Sequence, residues 1–410
     1  MSNKKSILTG VMLTAGTCVG AGMFSLPVVS SGMWFGLSIF FLFFVWYLSY
    51  LSGLYLLEVN SHYEPGASFN TLVNDVLGPV WNTVTGLSIA FLLYILLYAY
   101  FSAFGSIVDA TFDFSFLENI SWSKNVLGFL FGGVLAVVIW ASTKLVGRIS
   151  TIFVTGMVIT FILSMGGFSL QVEVGNLINQ SSENSEYLPY IWAGLPYFVS
   201  SFGFAAIVPS LYKFYGKNPP KVKLSMLIGS LLALVVYCIF LYVVFGNISR
   251  DAFVAINAEG GNIGDLIHAI SSTSDKGFAD KILKVFSNFA IITSFLGVGL
   301  GLFDYVADLF SFPNNKKGRF FAACIAFLPP GILSFFFPKG FIAAIGYAGF
   351  VAIFSLFVIP FLMVLRTRQK SEKGLYKVKG GNLLLGLFIF SSIAIGCFHL
   401  LAKFGYLPKW

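Results

Sequence analysis

Long uncharged apolar runs recur along this chain from one end to the other, and polar residues gather in the short stretches between them. A helix needs about 20 apolar residues to cross a bilayer core. Eleven segments meet that length, near residues 7–32, 34–57, 81–108, 125–142, 148–169, 190–213, 223–246, 281–310, 319–336, 339–364 and 383–403, numbered here as spans 1–11. The expected fold is an all-α integral membrane protein with one transmembrane domain over residues 1–403. Span 1 lacks a small-residue cleavage site and is expected to stay in the fold rather than leave as a signal peptide.

Two of these spans are interrupted in the middle. Span 1 carries Gly16-Thr17-Cys18-Val19-Gly20-Ala21-Gly22-Met23 and is closed by Pro27. Span 6 carries Ser200-Ser201-Phe202-Gly203-Phe204 and is closed by Pro209. Unwound backbone in lipid costs several kcal/mol per freed group, so it persists only where it lines a cavity or binds something. Five spans precede the second break, and an odd number inverts the second half relative to the first. Residues 7–169 and 190–364 are thus expected to form two inverted repeats, with span 11 (383–403) extra. A matched pair of breaks in two such halves points to a substrate site near the midplane. The long segment 248–275 is expected to contain a short helix near Ile263–Ile270 that acts as a lid.

Composition supports the membrane reading: 57% of residues are hydrophobic and 10% charged, against about 25% charged in soluble domains. The net charge of +8 reads as topology rather than as a basic partner surface. Lys4, Lys5, Lys144, Arg148, Lys213, Arg366 and Arg368 fall in segments that are cytoplasmic if the N terminus is inside and the C terminus periplasmic. The opposite loops carry acids such as Asp113, Glu118, Glu173 and Asp251. Residues 58–80 depart from this pattern, holding Glu58, Glu64 and Asp75 with no Lys or Arg in an expected cytoplasmic loop. Cys18, Cys238, Cys324 and Cys397 are scattered through apolar segments, and His62, His268 and His399 fit no metal spacing. No metal, cofactor or nucleic-acid partner is expected, and no hydrolase, protease or nucleotide-binding motif marks an enzyme.

The first break suits a carboxylate. Its glycines let the backbone approach a ligand, and the half-helix starting near Met23 presents N–H groups and a positive dipole end, so Gly20, Ala21 and Gly22 are candidates. Close packing of small residues is the alternative. Carbonyls near Thr17 and at Ser200, Ser201 and Gly203 suit an ammonium group. Phe202 and Phe204 flank the second break, and Tyr94 on span 3, with Tyr98 one turn on, offers a further ring. In a chain with 47 Phe such rings also serve as packing, and a tyrosine hydroxyl here is as readily satisfied by a neighbouring helix. Thr293 and Ser294 lie mid-span in span 8 and suit an ion or the substrate. Asp304 and Asp308 share a face near the end of span 8, either as a proton relay or as an interfacial pair with Lys316, Lys317 or Arg319. Glu58 is open to the same two readings.

Several of these stretches resemble the bacterial aromatic amino-acid permeases. Ala15-Gly16-Thr17 through Gly20-Ala21-Gly22-Met23 is similar to their opening motif. Leu57-Glu58-Val59, Ser201-Phe202-Gly203-Phe204 with Pro209-Ser210, Thr293 to Phe310, Phe327-Leu328-Pro329-Pro330 and Gly346-Tyr347-Ala348-Gly349 continue the match. The resemblance covers essentially the whole chain and is strongest to the tyrosine-specific members. It implies a LeuT-type 5+5 inverted repeat of the APC superfamily in the bacterial inner membrane. It also implies proton symport of tyrosine, or next tryptophan, with spans 1, 2, 6 and 7 rocking against the rest. Sodium coupling, a broader amino-acid specificity and a passive channel are the alternatives. One departure stands out: where relatives usually have His-Gly after Ser-Phe-Gly-Phe, this chain has Ala205-Ala206. Cys18 and Val19 replace more usual Thr or Met and Ile.

Overall fold

The computed structural model describes residues 6–111, 123–180, 186–272, 277–369 and 374–410. Lys4, Lys5, Asp113 and Glu118 lie outside the described residues. The described chain is helical with no strand. Span 1 divides into α1 (Ile7–Cys18) and α2 (Ser25–Ser30), joined by a 3-10 turn over Ala21–Phe24. Then follow α3 (Trp34–Asn60), α4 (Phe69–Leu77), α5 (Pro79–Thr111), α6 (Ser123–Ala141), α7 (Thr143–Ser169) and the single turn α8 (Val174–Leu177). Span 6 divides into α9 (Ile191–Ser201) and α10 (Val208–Tyr215) around a 3-10 turn at Gly203–Ile207. The chain continues as α11 (Pro219–Asn247), α12 (Ala252–Ala258), α13 (Ile263–Ser272), α14 (Phe278–Leu309) and α15 (Lys316–Phe336). Span 10 is α16 (Phe341–Ala352) and α17 (Ile359–Gln369), joined through a π turn, and span 11 is α18 (Gly381–Lys403).

Among the described residues, nine helices are long and apolar enough to cross a membrane, ten if the bent pair α1–α2 counts as one. The fourth expected segment is a shorter apolar helix, Asn125–Ala141. Length and composition therefore carry ten of the eleven expected spans. The region 58–80 is not all loop, because α4 lies within it. Ser68 caps that helix by accepting the Thr71 N–H at 3.1 Å, and Gly78, at φ 97°, turns the chain into α5. The short helix expected near Ile263–Ile270 is α13, and α12 precedes it.

Helix packing relies on small residues that let backbones approach. A Cβ on Gly229 of α11 would lie 2.6 Å from Val11 O of α1, and one on Gly349 of α16 would lie 2.0 Å from Pro196 O of α9. On Gly156 of α7 it would meet the Phe289 ring of α14 at 2.6 Å. In span terms, span 1 packs on span 7 and span 2 on span 6; span 5 packs on span 8 and span 3 on span 10. Span 3 also packs on span 9, and span 4 on spans 8 and 9. The halves α2 and α9 of the broken spans are buried in this assembly, whereas α1 keeps one face with Leu8, Met12 and Leu13 exposed.

Candidate functional site

The first break begins where α1 stops. Val19 (φ −74°, ψ 113°) and Gly20 (φ −172°, ψ −161°) are extended, and α2 leaves at 47° to α1. The Ala21 N–H donates to Ser294 Oγ at 2.8 Å. A Cβ at Gly20 would lie 2.4 Å from the same Ser294 oxygen, whereas one at Gly22 would meet nothing within 4 Å. Span 8 therefore closes against Gly20, and open space lies beside Gly22. The Tyr100 hydroxyl of α5 lies near Ser294, so one side chain of span 8 stands beside both span 3 and the first break.

The second break mirrors the first in length but not in sequence. Phe202 (φ −114°, ψ 41°) ends α9. The Ser200 and Ser201 hydroxyls fold back to donate to Tyr197 O at 2.7 and 3.2 Å. Their side chains are thus used locally. A Cβ at Gly203 would meet nothing within 4 Å.

The two breaks meet at a residue that sequence reasoning passed over. The Tyr237 hydroxyl of α11 lies 2.6 Å from Cys18 O and 2.8 Å from Ser201 O. Tyr237 is fully buried, and the Phe202 ring packs edge-on against it at 5.2 Å. The Cys18 thiol adds a contact to the Phe204 backbone. A phenol has one proton, so it can donate fully to only one of the two carbonyls at a time. The other keeps acceptor capacity pointing at the same place, an arrangement suited to an ammonium group. Tyr237 sits in an uninterrupted apolar run, and its only sequence signal is a hydroxyl at membrane depth that needs a partner.

The remaining expected residues divide into those at this junction and those engaged elsewhere. Phe202 and Phe204 are at the junction and buried. Thr17 is exposed and donates to Thr14 O at 2.8 Å. The Thr293 hydroxyl donates within its own helix to Phe289 O at 2.9 Å. Tyr94 and Tyr98 donate to Ile325 O and Phe337 O at 2.9 and 2.8 Å, so neighbouring backbone satisfies both hydroxyls.

Of the three candidate acids, Glu58 is taken. It is buried and accepts two bonds from Arg368 at 2.6 and 2.9 Å and one from Val378 N–H at 2.8 Å. This pair ties the end of α3 to α17 and to the segment before α18. Asp304 and Asp308 are exposed and in no ion pair among the described residues. Arg319 instead donates to Trp140 O and Ile139 O at 2.8 and 2.7 Å. Gly297, Gly301, Asp304 and Asp308 form an exposed line along α14, three to four residues apart and so on one face.

At the opposite end of the assembly, Arg250 is buried under the two broken spans. It donates to Gly32 O at 2.6 Å, just after α2, and to Glu186 O at 2.7 Å, just before α9. Its guanidinium stacks over the Trp410 ring at 3.8 Å, and burial lowers its pKa. No group of three or more His, Cys, Asp or Glu able to hold a metal occurs among the described residues.

Comparison with known proteins gives a consistent picture. The tryptophan/tyrosine permease family matches residues 3–399. A tryptophan-specific transport protein of Shigella flexneri is 43% identical over 99% of this chain and 97% of its own length. One of Pseudomonas aeruginosa is 42% identical over 100% and 98%. A tyrosine permease of Enterobacter agglomerans is 39% identical over 97% and 98%. The lean toward tyrosine-specific members expected from the motifs is not what these identities show, since both tryptophan proteins score higher.

Proposed function

Because the chain belongs to the tryptophan/tyrosine permease family, we propose that it imports an aromatic amino acid by proton symport with alternating access, tryptophan first and tyrosine second. The family makes it a permease and not an enzyme. The order of substrates rests on the higher identity to tryptophan transporters. The substrate ammonium would sit where Cys18 O and Ser201 O converge on Tyr237. The carboxylate would meet the N–H groups of Gly20 and Gly22, the Ala21 N–H being held by Ser294 Oγ, where the space beside Gly22 is open. The convergence of both breaks on Tyr237 is the observation that carries this reading.

The packing pattern supports an eleven-span, LeuT-type inverted repeat. Moving each partner by five spans exchanges the pairs: 1 on 7 becomes 2 on 6, 5 on 8 becomes 3 on 10, and 3 on 9 becomes 4 on 8. A two-fold relation between inverted halves produces that exchange. In this reading the Arg250 end is periplasmic and closed, with Arg250 joining the outer ends of spans 1 and 6. The exposed Gly16, Thr17, Ala206 and Asp304 belong to a route from the inner membrane's cytoplasmic side. With no imidazole at Ala205, Asp304 is the first candidate for the coupling proton and Asp308 the second, because Glu58 is held by Arg368. Sodium coupling would fall instead to Thr293 and Ser294, of which Ser294 already touches the break.

Uptake into proteoliposomes under imposed ion gradients tests this reading. Tryptophan should accumulate with an inward proton gradient and no sodium. Accumulation driven by sodium alone at constant pH, or equilibration without accumulation under any gradient, would replace symport with sodium coupling or a channel.

A further inference from the structure

A cavity of about 690 Å³ lies at the Arg250 end of the assembly, apart from the junction of the two breaks. Its walls come from α2 and α9, the halves of the broken spans on that side, and from α12, α16, α18 and the segment after α18. The size is that of a small-molecule site. Three features set its chemistry. Tyr190, Tyr347 and Trp410 supply aromatic rings, with Lys403 Nζ 3.9 Å over the Tyr347 ring and Tyr190 edge-on to Trp410 at 5.2 Å. Lys339, Lys403 and Lys409 supply three cations, none in an ion pair among the described residues, and no Asp or Glu side chain lines the wall. The third feature is His399. Its ring stacks on Phe350 at 5.5 Å and lies edge-on to Tyr347 at 6.1 Å and Tyr197 at 6.4 Å. The residue is only 8% exposed, and its Nε2 has no hydrogen-bond partner. A buried polar atom without a partner is costly, and an acceptor or donor brought by a ligand in this cavity would remove that cost after a small ring rotation.

We propose that this cavity is a second binding site, for an aromatic carboxylate. The rings take the ligand's ring, the lysines its carboxylate, and His399 Nε2 a polar atom of either. The requirement differs from that of the substrate junction. There, converging carbonyls call for an ammonium group. Here, three side-chain ammonium groups and no Asp or Glu side chain in the lining make a ligand ammonium unnecessary and unfavourable. An aromatic acid without an α-amino group thus fits this cavity and not the junction. Its occupant would touch α2 and α9 on one side and α16 and α18 on the other. It would hold the outer halves of the broken spans against the rest, slowing transport without competing for the substrate.

Indole-3-propionate is the discriminating probe. Titrated calorimetrically into the purified full chain in phosphatidylcholine nanodiscs, it should bind saturably at one site per chain. In uptake assays it should lower the maximal rate and leave the KM for tryptophan unchanged. Lys403→Gln with Lys409→Gln should weaken its binding at least tenfold and leave uptake intact in its absence. Ala343→Phe, which fills the cavity without removing a charge, should also abolish binding, so that the test does not depend on one variant folding. Absence of saturable binding by the wild-type chain overturns the proposal. So does purely competitive inhibition that persists in the lysine variant. Complete displacement of the probe by adding phosphatidylglycerol would reassign the lysines to a lipid headgroup and also overturn it. The binding measurement is independent of which substrate is transported, so its failure leaves the transport reading standing, and the reverse.

Discussion

The hydroxyl of Tyr237 lies 2.6 Å from the carbonyl oxygen of Cys18 and, on its other side, 2.8 Å from that of Ser201. One phenol on span 7 thus spans the unwound ends of α1 and α9. A hydrogen bond of this kind is worth about 0.5–1.5 kcal/mol net. Tyr237→Phe keeps the ring that packs on Phe202 and removes only the oxygen. It should weaken tryptophan binding by up to about tenfold, the equivalent of about 1.4 kcal/mol, and lower thermal stability slightly. Equilibrium binding of labelled tryptophan to the purified variant checks this, and unchanged affinity would remove Tyr237 from the site.

Ser294 and Gly20 form a second pair whose coupling can be measured. A methyl at Gly20 would lie 2.4 Å from Ser294 Oγ, a separation that real Cβ atoms do not tolerate. Gly20→Ala should therefore displace Ser294 and break its bond from Ala21 N–H. Ser294→Ala alone loses that bond but leaves the backbone path intact. The double variant should be no worse than Gly20→Ala in uptake, because the two changes act on one contact and are not additive. Independent, additive losses would contradict the contact.

The acids of spans 2 and 8 should separate cleanly. Glu58 and Arg368 form a buried pair, and removing one partner of such a pair costs about 3–5 kcal/mol. Glu58→Gln should lower the melting temperature markedly while the pH dependence of uptake in the surviving protein stays as in wild type. Asp304→Asn should do the opposite, leaving stability and substrate exchange intact while abolishing proton-driven accumulation. Wild-type accumulation and pH dependence in Asp304→Asn would assign Asp304 a structural role.

How far the sequence foretold this arrangement varied with the kind of signal. The breaks were legible because Gly20, Gly22 and Gly203, with Pro27 and Pro209 beyond them, disturb otherwise apolar runs. Ser294 was legible as a hydroxyl at mid-span. Tyr237 was not, because a tyrosine in an apolar run looks the same whether it packs or bridges, and its two partners are 219 and 36 residues away. Glu58 could not be told from a titrating acid until Arg368, 310 residues on, was seen beside it. The helix α4 was hidden in a polar-looking stretch because it is short and carries a single apolar face of Leu72, Val73 and Val76, buried against the assembly.

The central claim is that substrate occupies the space between the two breaks, and cysteine protection tests it most directly. Gly16 is exposed and a Cβ there meets nothing within 4 Å, so Gly16→Cys should fold and transport. With the four native cysteines replaced by serine or alanine, the rate of maleimide labelling at position 16 should fall several-fold in saturating tryptophan and stay unchanged in saturating lysine. Labelling indifferent to tryptophan, in a variant that still accumulates it, would contradict the account.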